Sequence, residues 1–400
     1  MQRKKVLFVV NNFNVGGPQK SLLSLLYKLS FEKLDVSLLS LNGEGSLTKY
    51  LPKEVKLLDT PREVKYAILT PNNFMKDSIN LLFSQYFSFP LRAIPKVILG
   101  LRQKYMTKNK QYYWLEIKDK LPQLNQDFDV AIGVSGGHSI MYIADCVNAA
   151  TKVGWIRTDY RVLGRDNNLD AEYFKQMKKI ISVSKLCKDI FVEIFPEEEK
   201  KMHVMYNILP FEMYNNIKAN TKDIKKEKES YKLLSVSRLD PNKGLDLAID
   251  ALKILLNKGY DIKWFILGDG NYRKELENKI SENGLLKNFI LLGFHINTAA
   301  FIKESDLVIH PSRFEGKSNV VDEAKYLLKP IVATNYNTVS EQLIHGKNGL
   351  ISEMNADSLA ANIEKLLLSN ELKDLFKENL LVERYDDSIS LKTFYNVIDL

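Results

Sequence analysis

Short apolar runs recur along the chain, separated by longer stretches of mixed pattern. Val6–Val10, Val36–Leu41, Val130–Val134, Lys152–Ile156, Ile180–Val183 and His203–Met205 read as strands. After a break come Leu233–Val236, Trp264–Leu267, Phe289–Leu292, Leu307–Ile309 and Ile331–Ala333. Most of these runs do not alternate apolar with polar positions. A strand covered on both faces has no solvent side to mark, so the pattern predicts parallel sheets with helices on either side. Helical spacing appears between the runs, in Ser21–Leu29, Leu245–Leu256, Tyr272–Asn283, Asp322–Leu328 and Ser358–Leu368. The fold class expected is α/β, with two doubly wound, Rossmann-like units.

The break runs from Asn215 to Ser230 and is nearly devoid of large apolar residues. Such a segment buries too little surface to order itself as core, so it reads as a charged linker. The units expected are therefore 1–214 and 231–385, with 386–400 a helix candidate able to pack back on the first.

Composition narrows the class further. Apolar residues are 45% and charged residues 26% of 400, which excludes wholesale disorder, collagen and a disulfide scaffold. Cys146 and Cys187 stand far apart in no paired motif, which fits a reducing cytoplasm. The opening run stops at Asn11-Asn12, too short for the apolar core of a signal peptide. The longest charge-free stretch, Ser78–Leu91, falls short of the roughly 18–20 apolar residues that span a bilayer.

The net charge of +8 is concentrated. Eight basic residues (Arg92, Lys96, Arg102, Lys104, Lys108, Lys110, Lys118 and Lys120) face only Glu116 and Asp119, a local excess of +6. Phe83, Tyr86, Phe87, Phe89, Tyr105, Tyr112, Tyr113 and Trp114 accompany them. Cations draw anionic headgroups and aromatic rings suit the lipid boundary, so 92–120 is expected to touch an anionic membrane surface. Nucleic acid is not an expected partner, because the charge is local and no recognised reading module accompanies it.

The strongest chemical signal is Pro311-Ser-Arg-Phe-Glu315-Gly-Lys-Ser-Asn-Val-Val-Asp-Glu323-Ala. It joins an apolar strand, a turn holding Gly316 and Lys317, and a helix that Ser318 or Asn319 can cap. Unpaired N–H groups and the helix dipole make such a junction suited to anions. Two glutamates eight residues apart add acceptors suited to sugar hydroxyls.

This segment resembles the E-x7-E motif of retaining glycosyltransferases of family 4, two-domain enzymes of the GT-B fold, here of the bacterial surface-polysaccharide type. Further pieces follow in the family's order: Arg238-Leu-Asp-Pro-Asn-Lys243-Gly244, Leu267-Gly-Asp-Gly270, Leu292-Gly-Phe294, Thr334 and Asn348-Gly349-Leu350. Earlier in the chain stand Gly16-Gly17-Pro-Gln-Lys, Ser182-Val-Ser184 and Tyr206-Asn207-Ile208. The resemblance implies two Rossmann-like domains facing across a cleft, the first for the acceptor and the second for the donor. It implies that Glu323 binds the donor's ribose, Glu315 the transferred sugar, and Arg238 and Lys243 the diphosphate. Gly16, Gly17, Gly316, Lys317, Ser318 and Asn319 would line the donor site.

The reaction so implied moves a hexose-type sugar, with retention, from a nucleoside diphosphate to a lipid-linked or oligosaccharide acceptor in capsule, exopolysaccharide or O-antigen assembly. No cofactor and no metal are implied, and UDP is favoured over GDP as the carrier. The place implied is cytoplasmic, peripheral to the inner face of the plasma membrane. Two other functions fit the same fold: a nucleotide-sugar epimerase or hydrolase, and a non-catalytic nucleotide-sugar-binding subunit.

In the family's matching segment a His commonly stands where this chain has Arg157. Arginine is no base at neutral pH, but it suits phosphate or a sugar carboxylate. Asp159 and His138, on loops after neighbouring strands, are the other acceptor-side candidates. Asp127-Phe-Asp129 imitates a metal-binding D-x-D, but it precedes its strand and so lies at the wrong end of the sheet.

Overall fold

The computed structural model describes residues 2–14, 16–68, 106–215, 217–226, 230–383 and 385–400. It divides into two compact units, Met1–Ile208 with Ser388–Leu400, and Leu209–Asp387.

The first unit holds a seven-stranded sheet built from β1 (Lys4–Val10), β2 (Leu34–Ser40), β3 (Lys56–Leu58), β4 (Phe128–Val134), β5 (Ala149–Ile156), β6 (Lys179–Ser182) and β7 (Met202–Val204). Its order is β3-β2-β1-β4-β5-β6-β7, and every pairing is parallel. The second unit holds β8 (Tyr231–Val236), β9 (Ile262–Leu267), β10 (Phe289–Gly293), β11 (Leu307–His310), β12 (Ile331–Thr334) and β13 (Leu350–Ser352). Their order is β10-β9-β8-β11-β12-β13, again all parallel. The strand order reverses between β1 and β4 and between β8 and β11, and ligand crevices open beyond the carboxyl ends at such points.

The unalternated runs have a direct physical cause. In the second unit Leu233, Trp264, Ile266, Leu307 and Ile309 enter one apolar cluster. Their chain neighbours Leu234, Phe265, Leu267 and Val308 enter a separate one. Successive side chains leave opposite faces of a strand, so a sheet covered on both sides needs apolar residues at every position. Strands β3 and β13, absent from the sequence expectation, are three-residue edge strands too short to show a pattern.

The segment 215–230, expected as a linker, differs from that expectation. Lys222–Lys226 is a short helix, and Ile224 is fully buried in the second unit's core. Met213 and Tyr214, placed in the first unit by sequence, are buried in the second. A few anchoring apolar side chains suffice to dock a segment that is polar on average.

Residues 388–400 belong to the first unit. The helix Ser388–Val397 stacks Phe394 on Phe8 with centroids 5.9 Å apart, and Tyr395 Oη accepts a hydrogen bond from Ser30 N at 3.0 Å. Lys179 Nζ pairs with Asp399 Oδ1 at 2.6 Å.

Much of the basic, aromatic segment, through residue 105, lies outside the described residues. Its remainder begins with the helix Met106–Ile117 and corrects part of the membrane expectation. Tyr113 and Trp114 are buried in the first unit's core, and Trp114 Nε1 donates to Asp145 Oδ2 at 2.7 Å. These two rings fill the interior rather than offer themselves to lipid. Among the described residues no helix is long and apolar enough to cross a membrane.

Candidate functional site

In the second unit the turn after β8 and the turn after β11 meet at the switch point. Arg313 N donates to Asn242 O at 2.8 Å, and the Arg313 guanidinium grips both oxygens of Asp246 at 2.9 and 2.7 Å. Gly244 makes the approach possible. Its φ is +64°, and a Cβ there would lie 1.9 Å from Pro311 O. Gly268 is equally constrained: a Cβ would lie 1.8 Å from Ser237 O, next to Arg238. Leu267-Gly-Asp-Gly270 is therefore a seat for the Arg238 turn.

That junction joins two residues which sequence treated separately. Lys243 Nζ donates to Glu315 Oε1 at 2.8 Å, and His310 Nε2 lies 3.0 Å from the same oxygen. Burial pushes the Glu315 carboxyl up, but Lys243 and His310 pull it down further, to about 2. An ionised carboxylate only accepts, so His310 donates through Nε2. The result is an anion fixed between a cation and an imidazole, with Glu315 16% and Lys243 17% exposed. Arg238 is exposed at the start of the β8 turn. His310 is the member sequence reading missed; its signal was its place at the carboxyl end of an apolar strand, five residues before Glu315.

The structure revises the surroundings of the second glutamate. Glu323 is 1% exposed, and Thr298 Oγ1 donates to its Oε2 at 2.5 Å. Tyr214 Oη lies 3.3 and 3.4 Å from its two oxygens. A ribose on Glu323 would have to share the carboxylate with these hydroxyls. Lys317, expected on the donor, has a 9% exposed side chain and pairs with Asp322 Oδ2 at 3.1 Å. Ser318 caps the helix Asn319–Tyr326, its Oγ accepting from Val321 N at 3.4 Å, while its own N–H donates to Gln342 Oε1 at 2.8 Å. Gly316 is buried in the same turn, and Asn319 opens the helix.

In the first unit the helix Gly17–Lys28 follows β1. Gly16 is its N-cap with φ −179°, ordinary extended backbone. Among the described residues a Cβ at Gly17 would meet nothing within 4 Å, and one at Gly16 would meet mainly the movable end of Gln19.

The three acceptor-side candidates have different surroundings. His138 is buried against Trp114, ring centroids 5.5 Å apart, and does not line a loop surface as expected. Burial, with Arg165 and Lys110 nearby, lowers its pKa to about 3. The folded protein thus resists protonating His138, whereas the unfolded chain accepts the proton near pH 6.5. The stabilisation is complete above that pH and is lost as pH falls from 6.5 toward 3. At pH 5 the loss is about 2 kcal/mol relative to neutrality. Chemical denaturation of His138→Gln at pH 7 and pH 5 is expected to show a correspondingly smaller decline; a parent-like decline overturns the assignment.

Asp159 is also buried, and Arg161 takes both its oxygens, at 3.1 and 2.8 Å. Arg157 stacks over Trp155, 4.6 Å from the ring centroid, and donates through Nη2 to Asn207 Oδ1 at 2.7 Å. Burial lowers its pKa to about 9. Asp129, of the D-x-D decoy, accepts from Lys5 N at 2.7 Å at the amino end of β4.

Comparison with known proteins places the chain in a family. The model of the family described as "Glycosyl transferases group 1" matches residues 216–380. An N-acetylgalactosamine-N,N'-diacetylbacillosaminyl-diphospho-undecaprenol 4-alpha-N-acetylgalactosaminyltransferase from Campylobacter jejuni is 30% identical over 291 residues, 72% of this chain and 76% of that protein. The chain belongs to the group 1 glycosyltransferases. Another similar protein is the capsular polysaccharide biosynthesis glycosyltransferase CapM of Staphylococcus aureus, 27% identical over 50% of this chain and 55% of its own length. Against several curated relatives this glycosyltransferase aligns over little more than half of their length or less. In structure it is similar to Anabaena Alr3699/HepE, solved with UDP and glucose, with a TM-score of 0.71, 17% identity, and 99% and 100% of the two chains covered. The architecture of two parallel-sheet, Rossmann-like units is thereby that of the GT-B glycosyltransferases.

Proposed function

We propose that this glycosyltransferase is a retaining, metal-independent enzyme of family 4. It moves a hexose-type sugar from a nucleoside diphosphate, UDP rather than GDP, and forms an α-linkage. The observation that carries the reading is the Lys243–Glu315–His310 cluster at the β8/β11 switch point of a group 1 chain. As the glycosidic bond breaks, charge shifts to the leaving diphosphate and the sugar carbon becomes cationic. Lys243, with Arg238, would favour the first change, and the fixed Glu315 carboxylate would favour the second. Groups oriented before reaction stabilise such a transition state without having to reorganise. The carboxylate also accepts hydroxyls of the transferred sugar, and the Glu323–Thr298–Tyr214 hydroxyl network is the candidate ribose contact.

The acceptor proposed is a lipid-linked or oligosaccharide intermediate of a surface polysaccharide. The names of the Campylobacter and staphylococcal relatives support that reading. An acceptor of this kind would hold the enzyme at the inner face of the membrane, where the basic excess of 92–120 suits anionic lipid.

A melting series with UDP, GDP and their common sugar conjugates tests the donor. UDP at 100 times its dissociation constant is expected to stabilise the native state by about 2.7 kcal/mol. No shift with any nucleotide would remove the proposal. Labelled donor then separates transfer from epimerisation or hydrolysis by the product formed.

A further inference from the structure

Three arginines stand four residues apart after β5: Arg157, Arg161 and Arg165. Arg161 is held on Asp159, and Arg165 reaches both oxygens of Asp170 at 2.6 Å each. Arg157 has no carboxylate partner among the described residues. Its Nε and Nη1 are buried and have no hydrogen-bond partner among those residues either. Trp155 Nε1, on the ring beneath the guanidinium, is likewise buried and unpartnered. The unsatisfied atoms on these two stacked side chains are all donors.

Nη2 is fixed by Asn207, whose Oδ1 also accepts from Ser21 Oγ at 3.0 Å. Ser21 lies in the first turns of the helix that opens at Gly17. The guanidinium is thus oriented by a built scaffold at the carboxyl end of a parallel sheet, where ligands bind. A cation withdrawn from water without a counter-charge is strongly unfavourable unless a ligand supplies one. Arginine's planar donors match the oxygens of a carboxylate or a phosphate.

We infer that Arg157, with Trp155 beneath it and Asn207 holding it, receives an oxyanion of the substrate, a carboxylate or a phosphate. The inference rests on the glycosyl-transfer reading, and it narrows the substrates to those carrying a charge beyond the nucleotide's own diphosphate. Two sources supply that chemistry: a uronic acid on the donor, or a diphosphate on the acceptor.

Calorimetric titration of the full chain and of Arg157→Gln separates them. UDP alone is the control and is expected to bind both proteins alike. If it binds neither, the donor reading fails, and Arg157 is judged on inorganic pyrophosphate alone. If the sugar brings the anion, UDP-glucuronate binds the parent at least tenfold more tightly than UDP-glucose, and Arg157→Gln abolishes the difference. If the acceptor brings it, pyrophosphate binds the UDP-saturated parent, and Arg157→Gln weakens it at least tenfold. Changes below twofold in both arms overturn the inference. Without ligand, Arg157→Gln is expected to melt at or above the parent temperature, because it removes a half-buried charge with no carboxylate partner among the described residues. A fall of several degrees would show that Arg157 serves the fold instead, and would equally overturn the inference. Arg157→Lys, which keeps the charge but not the planar donors, is expected to recover part of the lost affinity.

Discussion

Replacing Glu315 by glutamine is expected to lower sugar transfer by about 100-fold or more while nucleotide affinity stays equal or improves. Glutamine matches the shape and keeps an oxygen for Lys243 Nζ and His310 Nε2, now 2.8 and 3.0 Å away. What disappears is the negative charge, needed when the sugar carbon turns cationic. The same change releases Lys243 from its ion pair, so its positive charge faces an incoming diphosphate unopposed. The two effects have opposite signs, and that separates this role from a structural one. A residue that merely shaped the turn would weaken binding and turnover together. Paired measurements of transfer rate and UDP affinity decide it, and undiminished turnover would remove Glu315 from the mechanism. Acid unfolding adds a check. The folded carboxyl titrates near 2, below its unfolded range, so its stabilisation is full above about pH 4.5 and fades as pH falls toward 2. Glu315→Gln is expected to be less sensitive to pH across that window.

Gly244→Ala is expected to destabilise the second unit by about 3 kcal/mol, the sum of two costs. One is the left-handed backbone at φ +64°, and the other is a Cβ forced within 1.9 Å of Pro311 O, a main-chain atom with little room to retreat. Gly259→Ala separates them, because Gly259 has φ +89° and, among the described residues, nothing within 4 Å of a built Cβ. It keeps the strain and loses the clash, so a drop of about 1 kcal/mol is expected there. Urea unfolding of both variants measures the difference. Equal effects would mean that the approach of the β8 turn to Pro311 is not what Gly244 serves. Because Lys243 adjoins Gly244, the larger perturbation should also weaken the Lys243–Glu315 pair.

The extent of sequence legibility follows from the range of each interaction. Every strand of five or more residues stands in its sheet near its apolar run, because burial on two faces leaves a local mark. The helix after Glu315 begins with Ser318 as its cap, a feature of adjacent residues. Glu323 is the contrary case. Its hydroxyl partners Thr298 and Tyr214 lie 25 and 109 residues away, and no local pattern connects them. Lys317 looked free for an anion until folding set Asp322 beside it. His138 looked like a loop residue because Ser135-Gly-Gly precedes it, whereas its burial is supplied by Trp114 from a distant helix. Arg157 could be seen to stand where the family commonly has His, but only the fold reveals that its neighbours Arg161 and Arg165 have carboxylates and that it has none among the described residues.

The return of residues 388–400 to the first unit has a consequence for how the protein is made. A ribosome delivers the chain in order, so 209–387 emerges as one continuous piece before Phe394 exists to stack on Phe8. The second unit, though later in sequence, has all its parts first. Until 388–400 arrive, Phe8 of the first sheet lacks the Phe394 ring that stacks on it in the finished fold.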